Sequence, residues 1–167
     1  MSVEDLQAPN GRRVRCAVLT ISDTRTPETD RSGQAVRRLL EDAGHEIADY
    51  RIVRDEPADI SVAVAGWAAQ GDIPLIITTG GTGISSRDSS VDAVTALFSL
   101  DLPGFGECFR RLSFDEIGPA AMLSRATAGL VHQSAVFVLP GSENAVRLAV
   151  SSLILPQVTH LVRELEK

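Results

Sequence analysis

Leu75-Ile76-Ile77-Thr78 is an apolar, β-branched run that stops abruptly in Thr79-Gly80-Gly81-Thr82-Gly83, with Asp88 shortly after. A run of that composition and length reads as a buried parallel strand ending in a loop shaped for a ligand. Gly80, Gly81 and Gly83 let the main chain approach a phosphate or a ring, because no Cβ stands in the way. Thr79 and Thr82 add hydroxyl groups, and successive backbone N–H groups can cradle an anion. A tight β–α turn without any ligand would use the same residues. The chain has a single lysine, Lys167, so the glycine loop is not a P-loop, which needs a lysine after its last glycine. Schiff-base chemistry on an internal lysine is excluded as well. No third glycine falls at the dinucleotide-fingerprint position either. A phosphate held here must draw its positive charge from arginine, backbone dipoles or a metal ion.

At 167 residues, 44% hydrophobic and 23% charged, the chain suits one core-forming domain, expected over residues 13–167. Residues 1–12 read as a polar, disordered arm rather than a signal peptide. No apolar run approaches the length of a membrane span. The net charge of −6 without a basic tract argues against nucleic acid as a partner, and one Trp with one Tyr offers no base-stacking platform. Cys16 and Cys108 read as small buried hydrophobes in a reducing compartment, which points to a cytoplasmic protein. His45, His132 and His160 have no metal-ligand spacing and read as surface or capping residues.

Strand and helix patterns alternate along the chain. Val14–Ile21 predicts a first, central strand, and Glu46–Val53 a second. Leu75–Thr78 predicts a third, and Ser134–Leu139 a further one. Between them, Ala35, Val36, Leu39, Leu40 and Ala43 recur at helical spacing up to Gly44. Pro57 opens a helix carrying Ile60, Val64 and Trp67, and Gly71 ends it. Val91–Phe98 predicts a short helix, and Phe105, Cys108, Phe109 and Leu112 one face of another. A C-terminal helix begins near Ala145 and is broken or restarted at Pro156. Its stripe of Val158, Leu161, Val162 and Leu165 suits either a subunit contact or a core face. This alternation predicts an α/β protein with a mostly parallel sheet covered on both faces. Ligands bind at the carboxyl ends of such strands. Ser22-Asp23, Arg54-Asp55-Glu56, Thr79–Gly83 and Pro140-Gly141-Ser142 all fall there, and would meet on one rim if their strands are parallel neighbours.

From Val14 onward the chain resembles the MoaB/Mog family of molybdenum-cofactor biosynthesis proteins. The resemblance rests on Ser22-Asp23, Arg31-Ser32-Gly33 (read as a turn), Asp55-Glu56, and Thr78–Gly83 with Asp88. It continues through Pro103-Gly104-Phe105-Gly106-Glu107, Leu123-Ser124-Arg125 and Leu139-Pro140-Gly141-Ser142. Phe109–Gly118 looks more like the MoaB branch. The resemblance implies a three-layer, Rossmann-like α/β/α sandwich assembled as a trimer or hexamer. It also implies binding of molybdopterin, and transfer of AMP from ATP to the terminal phosphate of that pterin with Mg²⁺ as the metal. Asp55 and Asp88 match the family's acidic positions near the ATP phosphates and are the implied catalytic and Mg²⁺-holding pair.

Each implied role has a plainer competitor. Asp55 and Asp88 could be exposed turn residues, with Asp88 capping the next helix. Ser22 and Asp23 could form an Asx-turn rather than line the ligand rim. Glu107 is a pterin contact or a solvated helix position. Arg125, beside Ser124, could clamp a phosphate or join an intersubunit ion pair. Pro140-Gly141-Ser142 is a binding segment or only a helix start. Ser90-Val91 replaces the family's common Thr/Ala-Pro, and the missing proline predicts a looser segment after Asp88. A MoaB-type protein that holds molybdopterin without transferring AMP is the alternative to the enzyme. A nucleotide-pyrophosphate hydrolase of the competence-damage type is more distant, since that type carries a second domain.

Overall fold

The computed structural model describes residues 12–167, so all but the last residue of the expected N-terminal arm lies outside the described residues. Six strands form one sheet in the order β2-β1-β3-β6-β5-β4. They are β1 (Arg15–Ile21), β2 (Glu46–Val53), β3 (Leu75–Thr79), β4 (Leu100–Asp101), β5 (Thr127–Val131) and β6 (Ser134–Leu139). The β2-β1-β3-β6 half is entirely parallel. The β5 strand returns antiparallel to β6, and β4 antiparallel to β5.

Six α-helices cover the sheet: α1 (Arg31–Asp42), α2 (Pro57–Gln70), α3 (Ser90–Thr95), α4 (Pro103–Ile117), α5 (Glu143–Ala149) and α6 (Leu155–Leu165). Side chains alternate across a strand, and the alternation builds the three layers. Cys16, Val18, Leu75 and Ile77 join Val36, Leu40, Phe109, Val146 and Val158 on one face, under α1, α4, α5 and α6. Ala17, Leu19, Ile21 and Ile76 join Ile60, Val64, Trp67 and Val94 on the other, under α2 and α3. The expected three-layer α/β/α sandwich with a mostly parallel sheet is therefore what the chain forms.

Local signals set most boundaries. Asp30 caps α1 by accepting the Gly33 N–H at 2.9 Å, Pro57 opens α2, and Gly71 ends it in the left-handed region. Arg31-Ser32-Gly33, expected as a turn, forms instead the first turn of α1, because the Asp30 cap starts the helix one residue earlier. Pro156 does not break the C-terminal helix. Val150–Ile154 widens into a π-turn just before it, and α6 continues. A proline lacks the N–H that the regular ladder needs, and local widening absorbs that loss.

The resulting helix, Glu143–Leu165, spans 23 residues and is apolar enough by length and composition to cross a membrane. This corrects the expectation that no segment reaches that length. Its apolar side chains nevertheless have protein partners: Val146, Ala149, Val150, Ile154, Val158 and Val162 are buried in the core, with Leu161 and Leu165 packed against it. The stripe from Val158 to Leu165 is thus a core face. Cys16 is buried as expected, whereas Cys108 is an exposed free thiol. The face that α4 buries runs through Gly106, Phe109 and Ser113, which turns Cys108 outward.

Candidate functional site at the carboxyl rim

Because β2, β1, β3 and β6 are parallel neighbours, the loops that follow them emerge on one edge. Direct bonds stitch those loops together. The Ser22 N–H donates to the Val53 carbonyl at 2.9 Å, and the Gly80 N–H to the Leu139 carbonyl at 3.1 Å. The Thr79 hydroxyl donates to Pro140 O at 2.9 Å, and the Ser32 hydroxyl to Gly141 O at 2.5 Å. The antiparallel register brings the second group of predicted residues to the same edge. Thr127 pairs with Val138, so β5 begins where β6 ends and Ser124-Arg125 arrive at the rim. Asp101 pairs with Gly129, so α4, carrying Glu107, starts on that side too.

The glycine bend forms the floor. Gly80 and Gly81 have φ of 103° and 62°, a backbone that side chains with a Cβ avoid. A Cβ on Gly81 would sit 2.5 Å from Asp55 Oδ2, and one on Gly83 would sit 2.6 Å from Asp88 Oδ2. Both predicted carboxylates therefore press against the bend from outside, in space that only glycine leaves open. Asp55 is buried, at 7% exposure. Its Oδ1 accepts the Ser89 N–H at 3.1 Å and the Ser89 hydroxyl at 2.6 Å. That arrangement turns Oδ2 toward Gly81. Asp88 Oδ2 accepts the Ser85 N–H at 3.0 Å. Asp88 does not cap α3, whose cap position is Ser89. The segment after Asp88 is anchored without proline: Ser90 is buried, its hydroxyl donates to Gly80 O at 2.7 Å, and its N–H to Gly81 O at 3.1 Å.

Of the two readings open for Asp23, an Asx-turn or a place on the rim, its side-chain bonds follow the second, since they run across the rim to other loops. Arg87 Nε and Nη2 donate to its two oxygens at 2.9 Å each, and the Asp55 N–H donates to Oδ1 at 3.1 Å. Arg87 Nη1 also reaches Glu56 at 2.7 Å. The Arg87 hydrogen bonds, followed by the Asp55 N–H, hold the Asp23 carboxyl below the usual carboxylate range. The two acids raise the Arg87 guanidinium in turn. Ser22 Oγ accepts the Thr24 and Arg25 N–H groups, so the turn after β1 is built on Ser22. Ser142 caps α5 by accepting the Ala145 N–H at 3.2 Å. Arg125 pairs with Asp92 of α3 at 2.7 Å, an ion pair within the chain. Glu107 is exposed on α4, and Thr82 is buried beside the bend.

Two hollows open on this rim. One of about 140 Å³ is lined by Ser22, Arg25, Asp30, Ser32, Thr79 and Gly141. A larger groove of about 500 Å³ beside it is lined by Ser22, Asp23, Arg25, Thr26, Tyr50 and Arg54. Arg25, Asp30, Ser32 and Tyr50 are absent from the sequence-derived set. Asp30 is 1% exposed, and its Oδ2 accepts the Thr20 hydroxyl at 2.6 Å and the Tyr50 hydroxyl at 2.5 Å. Burial and the Asp30 bond together push the Tyr50 hydroxyl pKa up. Asp30 left a signal in the chain as an N-cap residue ahead of a helical run, and Ser32 stood in the Arg31-Ser32-Gly33 motif, whereas Arg25 and Tyr50 left none. A cleft at the opposite edge contains Arg12, Arg13 and Arg15, which pair with Glu166, Glu46 and Asp72 respectively.

The donor set fits a cation shared with phosphate. Mg²⁺ is held by one or two carboxylates while water and phosphate oxygens complete its shell. Asp55 Oδ2 and Asp88 border the same bend, and among the described residues no group of three His, Cys, Asp or Glu forms a closed cage.

Comparison with known proteins gives the family and the fold. Residues 17–160 match the model of the probable molybdopterin binding domain. The chain belongs to the MoaB/Mog family of molybdenum-cofactor biosynthesis proteins. It is 49% identical to molybdenum cofactor biosynthesis protein B of Bacillus subtilis over 168 residues, covering 100% of this chain and 99% of that one. A crystal structure of a molybdenum cofactor biosynthesis protein B superposes with a TM-score of 0.91 at 48% identity, over 96% of this chain and 99% of that one. The tungsten cofactor synthesizing protein MoaB of Pyrococcus furiosus superposes at 0.84 with 33% identity, over 93% of this chain and 99% of that one.

Proposed function

We propose that this chain binds molybdopterin and transfers AMP from ATP to its terminal phosphate. The single observation that carries the reading is that Asp55 and Asp88, from separate loops, both abut the glycine bend at the floor of the rim. In the transfer, a phosphate oxygen of the pterin attacks the α-phosphorus of ATP, a new P–O bond forms, and pyrophosphate leaves. Such chemistry depends on positioning and charge neutralisation rather than on a covalent nucleophile. The chain supplies matching parts. Thr79 and Gly80 of the bend line the smaller hollow beside Arg25 and Ser32, Arg25 and Arg54 edge the larger groove, and Ser89 orients Asp55. Mg²⁺, held by Asp55 and Asp88, would neutralise phosphate charge when bound. Glu107, Ser124, Arg125 and the segment Pro140-Gly141-Ser142 reach the same edge through the register, which suits a ligand with a pterin at one end and a phosphate at the other.

Two further parts of the reading have their own support. Phe114, Ile117, Met122 and Leu123 are all more than half exposed around the end of α4, which suits assembly into a trimer or hexamer. The exposed free thiol of Cys108 suits a reducing, cytoplasmic setting. The test is purified protein with molybdopterin, ATP and Mg²⁺. Pyrophosphate release is expected, and Asp55→Ala and Asp88→Ala each lower its rate far more than they weaken pterin binding. A double variant that keeps the rate sinks the assignment. Pterin binding without pyrophosphate release would make this a binding protein of the MoaB type.

A further inference from the structure

We infer that Arg87 is a positioning residue that acts through Asp23 to hold Asp55 in place at the glycine bend. Asp23 has little left to offer a ligand. Both its oxygens are engaged by the Arg87 fork at 2.9 Å, and Oδ1 also takes the Asp55 N–H at 3.1 Å. Its bonds run inward, to the backbone of the residue whose carboxylate faces Gly81. Arg87 meanwhile spans three loops, since it stands between β3 and α3 and grips Asp23 after β1 and Glu56 after β2. Ser89, on the same loop, holds Asp55 Oδ1 from the other side. The peptide N–H and the carboxylate of Asp55 are thus gripped through residues 87 and 89 of one segment, with Asp88 between them.

The chemistry of the fork makes the residue type matter. A guanidinium presents two parallel N–H groups to a carboxylate and keeps a third for Glu56, whereas an ammonium offers one point charge. Electrostatics adds a second reason. Asp23, Asp55, Glu56 and Asp88 gather at one rim, and without Arg87 the first and third would face the others unneutralised. Arg54 also draws Asp23 toward its charged form, but less than the Arg87 bonds do.

The effect on rate rests on the adenylyl-transfer reading, so the experiment measures structure and rate separately. Native protein, Arg87→Ala, Asp23→Ala, the double variant and Arg87→Lys are compared. The first measurement follows the aspartate carboxyl carbons and backbone amides by NMR at one neutral pH. In Arg87→Ala the Asp23 carboxyl, the Asp55 amide and carboxyl and the Ser89 amide signals should all move from their native positions. An Asp55 signal unchanged in Arg87→Ala overturns the inference, whatever the protein catalyses. The second measurement is pyrophosphate release. Each single alanine variant should lose about 10- to 100-fold in kcat, the scale of a small misplacement of a catalytic group, with KM for ATP little changed. The double variant should be no worse than the poorer single one, and Arg87→Lys should recover only a minor part. Additive losses, or a raised KM at unchanged kcat, would mean that Arg87 touches the ligand itself and would overturn the relay. A native protein that releases no pyrophosphate defeats the transfer reading alone and leaves the NMR arm to judge the clamp.

Discussion

The two halves of the sheet do different work. In the parallel half, every strand ends on the same edge and delivers a fresh loop there, so residues as distant as Ser22, Asp55, Gly81 and Gly141 meet. In the antiparallel half, β5 turns back after His132, whose φ of 52° makes the reversal, and only two chain segments reach the rim. Among the described residues that half carries five of the seven exposed large apolar side chains, Phe114, Ile117, Met122 and Leu123 with Leu100 on the edge strand, while Val62 and Ile84 stand singly on the parallel half. The difference teaches that parallel pairing concentrates polar chemistry, while the hairpin side leaves an apolar surface uncovered within one chain.

The contrast breaks most sharply at Asp55. Asp55→Ala should lower the pyrophosphate rate about 10²- to 10³-fold, the scale of losing one preorganised electrostatic group. A rate within a factor of about two of native would mean the parallel rim is not the reactive edge. Glycine substitutions sharpen the comparison further. Gly81→Ala forces a Cβ into the left-handed region against Asp55 and Ser90, while Gly129→Ala forces one into the ring of Phe98 on the antiparallel half. Each should cost about 1–3 kcal/mol in denaturant unfolding. Only Gly81→Ala should also cost activity; equal activity losses would erase the division of labour.

Phe114→Glu combined with Met122→Glu probes the other half. Light scattering should show native protein as a trimer or hexamer and the variant as a smaller species. A native monomer removes the oligomer proposal. The smallest effect belongs to His45, at the end of the parallel half away from the rim. Its Nδ1 accepts the Val14 N–H at 3.4 Å, and burial lowers its pKa from the ordinary value. A lowered folded-state pKa means its contribution is complete above about pH 6.5 and is lost as pH falls through the lowered value. The thermal midpoint of native protein should therefore fall more steeply between about pH 7 and pH 5 than that of His45→Gln. Identical slopes would mean His45 titrates as if unfolded.

Much of this was readable from the chain because the signals were local. Leu75–Thr79 and Ser134–Leu139 are continuous apolar runs, and Pro57, Gly71 and Gly44 punctuate helices by backbone chemistry alone. The antiparallel strands were not readable. Thr127–Val131 contains Ala128 and Gly129, poor strand formers, and Gly129 serves there to admit the Phe98 ring. Both residues of β4 are exposed and carry no pattern. At the site, Asp55, Asp88 and the glycines stood out by motif, whereas Arg25, Tyr50 and the fork of Arg87 on Asp23 did not. Those depend on which loops become neighbours.

Composition and periodicity by themselves determined an α/β sandwich with a mostly parallel sheet and a glycine bend at the end of its third strand, since each follows from residues close together in the chain. Which acids face that bend, which arginine neutralises them, and which apolar residues stay uncovered were decided by strand order alone. Strand order arises from packing between segments far apart in sequence, where a side chain's partner is set by the pairing of its strand and not by its neighbours along the chain.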